Sequence, residues 1–393
     1  MNICLIYKEE YPWDVRVEKI AKALARNGNR VSILARNLGQ SPIIEKTEFC
    51  EIVRLLKTNC FPVLLQKIIN SAFFLNPIWV FYIYKNIKSH KKSIIIVRDL
   101  PLMFSGILVA KMKGAKIIFD MAECYPEMYL SMKLYSKLSF FKKIICTQYL
   151  LDIYEIQACK WADHIFVMVE ESKNRLISKG ILSNKISVVS NTPPIENNNF
   201  FQVNHSGVVL RMVYVGFITR LRGLDVLIRA AHRFLEIGGA SEEIKIDIIG
   251  KGNAVNELLD LVDKLDLNDV VNIHGWLEKE RVEEIMSQAN VGILTYRVCS
   301  HWNTTIPNKI FDYMKMGLPI IATDVITIRR IIQETKSGFI CKDQDVNDVA
   351  SKLLLLQDPN IRNELGNNGI KAVKDRYNWS QDVSTMNRAL ERL

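Results

Sequence analysis

Residues 213–223 read Val213-Tyr214-Val215-Gly216-Phe217-Ile218-Thr219-Arg220-Leu221-Arg222-Gly223. An apolar, β-branched run breaks at a glycine, passes two arginines and reaches a second glycine, after which Leu224 to Phe234 repeats with helical spacing. Strand, glycine turn and helix form the repeating unit of a doubly wound α/β fold, where ligands bind at the carboxyl ends of the strands. Gly216 permits close backbone approach. The helix start offers free N–H groups and a positive dipole end to a phosphate. Arg220 and Arg222 add charge. The competing reading makes both arginines solvated loop residues.

The same alternation extends in both directions. The first half predicts strands near residues 2–7, 30–35, 93–97, 116–120, 164–168 and 186–190. It also predicts a helix over 14–27 that stops at Asn27-Gly28. The second half predicts strands near 211–215, 244–249, 270–273, 290–294 and 318–322. Runs such as Ile94-Ile95-Ile96-Val97 and Ile246-Asp247-Ile248-Ile249 suit parallel strands covered on both faces. Asn191-Thr192-Pro193-Pro194 and the polar Glu196-Asn197-Asn198-Asn199 read as a linker. Two doubly wound domains follow, 1–195 and 205–379, with a hinge near 191–207.

Composition agrees. With 393 residues, 49% apolar and 24% charged, the chain is long enough for two cores and is neither a disordered chain nor a disulfide mini-protein. The net charge of +10 is uneven: residues 1–200 carry 28 basic against 17 acidic side chains, whereas residues 201–393 come to −1. That field attracts an anionic partner such as nucleic acid, a phospholipid surface or a phosphorylated substrate. The eight cysteines show no Cys-x-x-Cys spacing and read as reduced, cytosolic and mostly buried. The N-terminus reads as a buried strand, not a signal peptide. Residues 61–84 are the most apolar stretch, but Lys67, Asn70, Asn76 and Pro77 interrupt it, so it reads as interfacial or core rather than membrane-spanning.

The loop after the first strand, Lys8-Glu9-Glu10-Tyr11-Pro12-Trp13, lacks Gly-x-Gly-x-x-Gly, and no Gly-x-x-x-x-Gly-Lys-Ser/Thr occurs. This argues against dinucleotide redox chemistry and against a P-loop ATPase. A second glycine turn, Ile249-Gly250-Lys251-Gly252-Asn253, follows a later strand. The segment Asn303-Thr304-Thr305-Ile306-Pro307-Asn308-Lys309-Ile310-Phe311-Asp312-Tyr313-Met314-Lys315-Met316-Gly317 predicts a helix with Pro307 in its first turn and Gly317 as its stop. Asp312 then lies mid-helix, either a paired acid on the helix flank or a carboxylate that accepts from ribose hydroxyls.

With these segments in place, the chain resembles the retaining glycosyltransferases of the GT-B group called family 4, or glycosyl transferases group 1. The likeness runs through Asp14-x-Arg16-Val17, Ala23-Leu24-Ala25-x-x-Gly28-x-x-Val31, Asp120-Met121-Ala122-Glu123, Ala162-Asp163-His164-Ile165 and Asn191-x-Pro193. It continues through Gly216 to Gly223, residues 304–319 in the subfamily pattern Pro-Asn-Lys-x-Phe-Glu/Asp-Tyr-Met, and Tyr377-x-Trp379. The resemblance implies two Rossmann-like domains facing across a cleft, with a C-terminal helix, 380–393, returning to the first.

It further implies that Asp312 holds the donor ribose, that Thr304 stands near the donor sugar, and that Arg222 meets the donor diphosphate. Asn308 and Lys309 match the element beside the donor. Backbone near Gly252 and around His274-Gly275 frames the base. Glu123 faces the acceptor or sugar side of the cleft and joins Arg222, Lys309 and Thr304 as the implied catalytic set, and Asp14, Arg16 and Asp120 fall on the acceptor side. The chain departs from the family at Thr304, which is no carboxylate, at the shorter acid Asp312, and at Ala122 in place of a histidine. Phe217 stands where the family has arginine, and Arg220 is the candidate replacement.

The activity so implied is metal-independent transfer of a hexose, with retention, from a nucleotide diphosphate-sugar, by subfamily resemblance a UDP-sugar. Cations and helix N–H groups stabilise the leaving diphosphate, and hinge closure excludes water. No cofactor is expected, since the nucleotide-sugar is a substrate. The one Asp-x-Asp, Asp343-Gln344-Asp345, reads as a helix cap rather than a metal site. Residues 128–151 place Lys133, Lys137, Lys142 and Lys143 among aromatic and aliphatic side chains, and Lys85, Lys88, Lys91 and Lys92 extend this patch. Such a helix suits an anionic membrane surface, though an ordinary core helix with a solvated face has the same pattern.

The expected acceptor is a lipid-linked glycan of bacterial lipopolysaccharide or capsule synthesis, and the expected location is the cytoplasmic face of the plasma membrane. The alternatives are a sugar-nucleotide epimerase on the same architecture and a non-catalytic partner subunit, for which Thr304, Phe217 and Ala122 speak. Nucleic-acid binding lacks a motif.

Overall fold

A computed structural model describes residues 1–12, 14–37, 41–55, 75–87, 93–135, 147–195 and 207–393, with residues 132–135 described by their backbone. Two compact units emerge. One comprises Met1–Leu130, Leu138–Asn191 and Asp382–Leu393, the other Ser131–Lys137 and Thr192–Gln381.

The strands of the first unit are β1 (Asn2–Glu10), β2 (Arg30–Arg36), β3 (Ile44–Lys46), β4 (Glu51–Arg54), β5 (Ser93–Arg98), β6 (Lys116–Met121), β7 (His164–Val167) and β8 (Ile186–Val188). They form one sheet in the order β3-β4-β2-β1-β5-β6-β7-β8, parallel except for the β3–β4 pair. Ile94 to Val97 of β5 are at most 3% exposed. Such a run is covered on both faces, and each side chain contributes about 1.5–3 kcal/mol by leaving water. The helix Val15–Arg26 turns Val17, Ile20, Ala21 and Leu24 inward at helical spacing. Asp14 caps it, accepting from the amides of Arg16 and Val17 at 2.8 and 3.2 Å.

The second unit holds β9 (Leu210–Val215), β10 (Ile244–Ile249), β11 (Val271–Gly275), β12 (Val291–Leu294), β13 (Ile320–Thr323) and β14 (Gly338–Cys341). They pair in parallel as β11-β10-β9-β12-β13-β14. The last helix, Trp379–Glu391, passes into the first unit from Asp382 onward. There the Asp382 carboxylate accepts from the Ser190 amide at 2.8 Å, and Asn387 accepts from Asn27 at 2.7 Å.

Three strands, β3, β4 and β14, escape the sequence reading. β3 and β4 are three and four residues long. β4 is bounded by charges, and its terminal Arg54 is only 1% exposed because Pro42 O, Tyr11 O and Glu45 hold it. The helix expected to start at Pro307 runs only Lys309–Lys315 with Asn308 as its cap, so Asp312 sits at its centre and still within its first turn. Gly317 ends that helix at φ +73°. Asp345 caps the helix Val346–Leu355, as its sequence setting predicts. Among the described cysteines, Cys4, Cys50, Cys124, Cys159 and Cys341 are buried thiols and Cys299 is half-buried.

Candidate functional site

The carboxyl ends of β9, β10 and β11 are tied together through their loops. The Gly216 amide donates to Ile249 O at 2.9 Å, Gly250 to Gly275 O at 2.7 Å, and Ile218 to Lys251 O at 2.9 Å. A Cβ on Gly250 would lie 1.8 Å from Gly216 O, and one on Gly252 would lie 1.9 Å from Ile218 O. These glycines are required by loop-against-loop packing before any ligand is considered.

Gly223, at φ +62°, caps the helix Leu224–Glu236 without a side chain to accept from its first amides, and a Cβ there would lie 1.9 Å from Thr295 O. Directly before it, the Arg222 guanidinium lies 4.5 Å from the centroid of the Tyr296 ring and 4.4 Å from that of Trp302. Aromatic faces attract a cation without cancelling its charge. The adjoining His301 ring feels that charge: burial, then Arg222, lower its pKa to about 4. Arg297 braces the loop by donating to Arg220 O at 3.0 Å and pairing with Asp225 at 2.6 Å. Arg220 turns outward to Glu257 at 2.8 Å, with both side chains more than half exposed. Phe217 is 55% exposed, and its carbonyl accepts from the Tyr214 hydroxyl at 2.8 Å.

Lys309 and Asp312 face each other at 3.5 Å, both partly exposed. Their helix is anchored by Tyr313, whose hydroxyl donates to Val213 O at 3.2 Å and whose ring fills the space that the missing side chain of Gly292 leaves. Thr304 donates locally, to His301 O at 3.0 Å. His274 meets Asp247 at 2.6 Å. Beyond them Trp276 is 56% exposed, with the Lys251 ammonium 4.7 Å from its ring centroid. Arg222, Arg220, Gly216, Gly223, Gly252, His274, Thr304, Asn308, Lys309 and Asp312 thus all belong to the second unit.

The acceptor-side residues expected from the sequence lie in the first unit. Arg16 and Asp120, 2% and 1% exposed, bind each other at 2.6 Å, and Arg16 also donates to Ser190 O at 3.1 Å. That pair faces inward and fastens β6 to the helix Val15–Arg26. Arg98, at the end of β5, reaches Asp14 at 3.2 Å, Asp99 at 3.0 Å and Asp120 at 4.0 Å. Burial opposes its charge, but Asp99, Asp14, Asp120 and Glu123 more than offset this and raise its pKa. Glu123 is half-buried and Ala122 buried.

Lys88, Lys91, Lys92, Lys137, Lys142 and Lys143 lie outside the described residues, as does the Lys133 side chain. A different basic, apolar face is present in this unit. It spans the helices Pro77–Asn86, Met103–Lys113 and Gln148–Trp161. Phe81, Met112, Tyr149 and Trp161 are 49–73% exposed. Lys113 stacks on Tyr84 at 3.7 Å and Lys111 on Trp161 at 4.9 Å. The first two helices contain no acidic residue. The acids of the third, Asp152 and Glu155, are paired with Lys179 and Arg175.

Sequence reading missed Tyr296 and Trp302, the rings beneath Arg222, and the Arg98–Asp99 pair. The rings lie some seventy to eighty residues beyond Arg222 in the chain and carry no motif. Arg98-Asp99 does follow a predicted strand, which was the available signal.

Two parallel-sheet α/β units whose strands end in these loops define the GT-B fold. Residues 14–193 match the family model described as Glycosyltransferase Family 4 and residues 196–372 that described as Glycosyl transferases group 1; the chain belongs to this family. Over 185 residues it is 26% identical to the amylovoran biosynthesis glycosyltransferase AmsK of Erwinia amylovora, a match covering 47% of this chain and 45% of that protein. The likeness therefore spans under half the length of this curated relative. Sucrose-phosphate synthase from Thermosynechococcus elongatus superposes with a TM-score of 0.77 at 17% identity, over 100% of this chain and 98% of that one. Anabaena HepE, solved in complex with UDP and glucose, gives 0.72 at 12% identity over 100% of both chains. At such identities these likenesses speak for the fold alone.

Proposed function

We propose that the protein transfers a hexose, with retention, from a UDP-sugar to a hydroxyl of a lipid-linked glycan in bacterial surface polysaccharide synthesis. The observation that carries this reading is the Arg222 guanidinium over Tyr296 and Trp302, immediately before the glycine cap of the helix Leu224–Glu236. Charge develops on the leaving diphosphate as the glycosidic bond breaks. A fixed cation beside free helix amides stabilises that charge without reorganising at the moment of reaction. The Lys309–Asp312 pair is loose and solvated, and such pairs contribute about 0–1 kcal/mol. A nucleotide can take both partners at little cost, Asp312 accepting from ribose hydroxyls and Lys309 meeting a phosphate. The UDP and polysaccharide parts of the reading rest on the family resemblance and on what the similar proteins are named for.

The membrane side of the proposal moves from the lysines at 133–143 to the face formed by Phe81, Met112, Tyr149 and Trp161 with Lys85, Lys111, Lys113 and Lys160. Aromatic side chains beside lysines suit an anionic interface, where each basic residue contributes about 1 kcal/mol. Among the described residues no helix is long and apolar enough to cross a membrane. We place the enzyme at the cytoplasmic surface of the plasma membrane.

The test of the reaction is release of the matching nucleoside diphosphate by the purified full chain on a panel of UDP-, GDP- and ADP-sugars with a membrane extract as acceptor, UDP release being the expected result. Release that disappears in Arg222→Ala supports the reading. Absence of nucleotide-sugar binding by the wild type overturns it in favour of a non-catalytic partner. For the membrane face, co-sedimentation with phosphatidylglycerol vesicles is expected to exceed that with phosphatidylcholine and to fall in a Lys111→Glu/Lys113→Glu variant. Equal pelleting would remove this surface from the proposal.

A further inference from the structure

Asp99 stands out in the first unit by its backbone. Its φ of 66° and ψ of 166° fall in a region that essentially only glycine occupies. The conformation is imposed from both sides. The Asp99 amide donates to Asp120 O at 3.0 Å, and the following Leu100-Pro101-Leu102 turn buries Leu100 and Leu102. A glycine would satisfy this turn without strain, yet the position carries a carboxylate.

Fold stability gives only part of the reason for that carboxylate, which pairs with Arg98 at 3.0 Å. Its partner Arg98 also has Asp14 at 3.2 Å and Asp120 at 4.0 Å. Asp99 lies at the carboxyl edge of the sheet, where β5 ends beside β1 and β6, and its side chain keeps 11% of its surface open. Burial raises its pKa, against Arg98 and Lys8, which lower it. A buried carboxylate in this state gains from one more hydrogen-bond donor.

We propose that Asp99 binds the hydroxyl-bearing end of the acceptor, a sugar with neighbouring hydroxyls, together with Arg98. Asp99 accepts from one hydroxyl while an Arg98 N–H donates to the next. The charge balance selects this chemistry over a phosphate. The surrounding cations are Lys8, Arg16 and Arg98, and they face the carboxylates of Asp14, Asp99, Asp120 and Glu123. The surplus is negative and repels an anion. The inference rests on the glycosyl-transfer reading, for which it names the acceptor contact.

The experiment uses the full chain and two probes with the same tail, octyl β-glucoside below its micelle concentration and octyl phosphate, with binding read by calorimetry. The wild type is expected to bind octyl glucoside and not octyl phosphate. Asp99→Asn is expected to weaken octyl glucoside about 10- to 100-fold. Asp99→Gly is expected to abolish that binding while raising Tm by about 2–6 °C, since it relieves the backbone strain. A purely structural Asp99 predicts the reverse, a lower Tm in Asp99→Gly. The proposal is overturned by that result, by unchanged octyl glucoside binding in both variants, by absence of binding in the wild type, or by octyl phosphate binding that tightens in Asp99→Asn. UDP-sugar binding is measured separately on each protein. Its failure in the wild type overturns the transfer reading, whereas its loss in the Asp99 variants alone overturns the acceptor assignment.

Discussion

Two sites, one in each unit, hold their arginines in different ways. In the first, Arg16, Arg98 and Arg175 are drawn inside and met by carboxylates: Asp120 at 2.6 Å, Asp14 at 3.2 Å and Glu155 at 2.6 Å. In the second, Arg222 rests on two aromatic rings, and Arg220 pairs with Glu257 in solvent. A carboxylate consumes a cation's charge to fasten elements together. An aromatic ring positions a cation and leaves its charge for something else. The half with the large positive sum meets these interior arginines with carboxylates, and the nearly neutral half stacks one arginine on aromatic rings at its strand ends. On the proposed reading, net charge by halves is a poor guide to where a diphosphate binds.

That contrast is tested most strongly at Asp120. Asp120→Ala strands Arg16 in the interior and is expected to cost about 3–5 kcal/mol of stability, seen as a large drop in the denaturation midpoint. A drop under about 1 kcal/mol would show that the pair does not fasten the unit. Next comes Arg222→Ala, expected to lower kcat about 10²–10³-fold while the denaturation midpoint changes little. An equal loss of stability and activity would make Arg222 another structural arginine and erase the difference between the halves.

A third effect runs in both units alike. Burial, followed by Arg392 at His164 and Arg222 at His301, lowers each histidine to about 4. The unfolded chain takes up these protons near pH 6.5 and the folded chain only near pH 4. Stability is thus full above about 6.5 and falls as pH drops from there to 4, by about 3 kcal/mol per histidine. Tm measured across that window should decline in the wild type and less steeply in His301→Gln. The smallest effect is expected of Arg220→Ala, under about 0.5 kcal/mol in stability and less than threefold in KM. A large loss of activity would instead make Arg220 the replacement for the cation absent at Phe217, and the second unit would then present two charges rather than one.

Much of the fold could be read from the residues. Ile94 to Val97 and, less completely, Ile246 to Ile249 announce buried parallel strands because they are nearly continuous in apolar side chains, and the structure places β5 and β10 there. β4 was hidden because its buried end is an arginine, whose partners Tyr11 and Glu45 come from other segments. At the site, Arg222 was legible from its glycine and helix setting, but its rings are contributed by a distant loop. Asp99 was illegible for a different reason. Its distinction is a dihedral angle, and aspartate is not the residue type that signals one.

The interlocked glycine loops at the ends of β9, β10 and β11 carry a consequence for how such a protein can diversify. Each loop's amide is the hydrogen-bond partner of its neighbour, so inserting or deleting a residue in one would unhook the next. Length variation, the usual currency of loop evolution, is closed to this edge. Change at this edge would have to arise by exchanging the side chains it carries, Lys251, His274 and Trp276, on a backbone that stays in register.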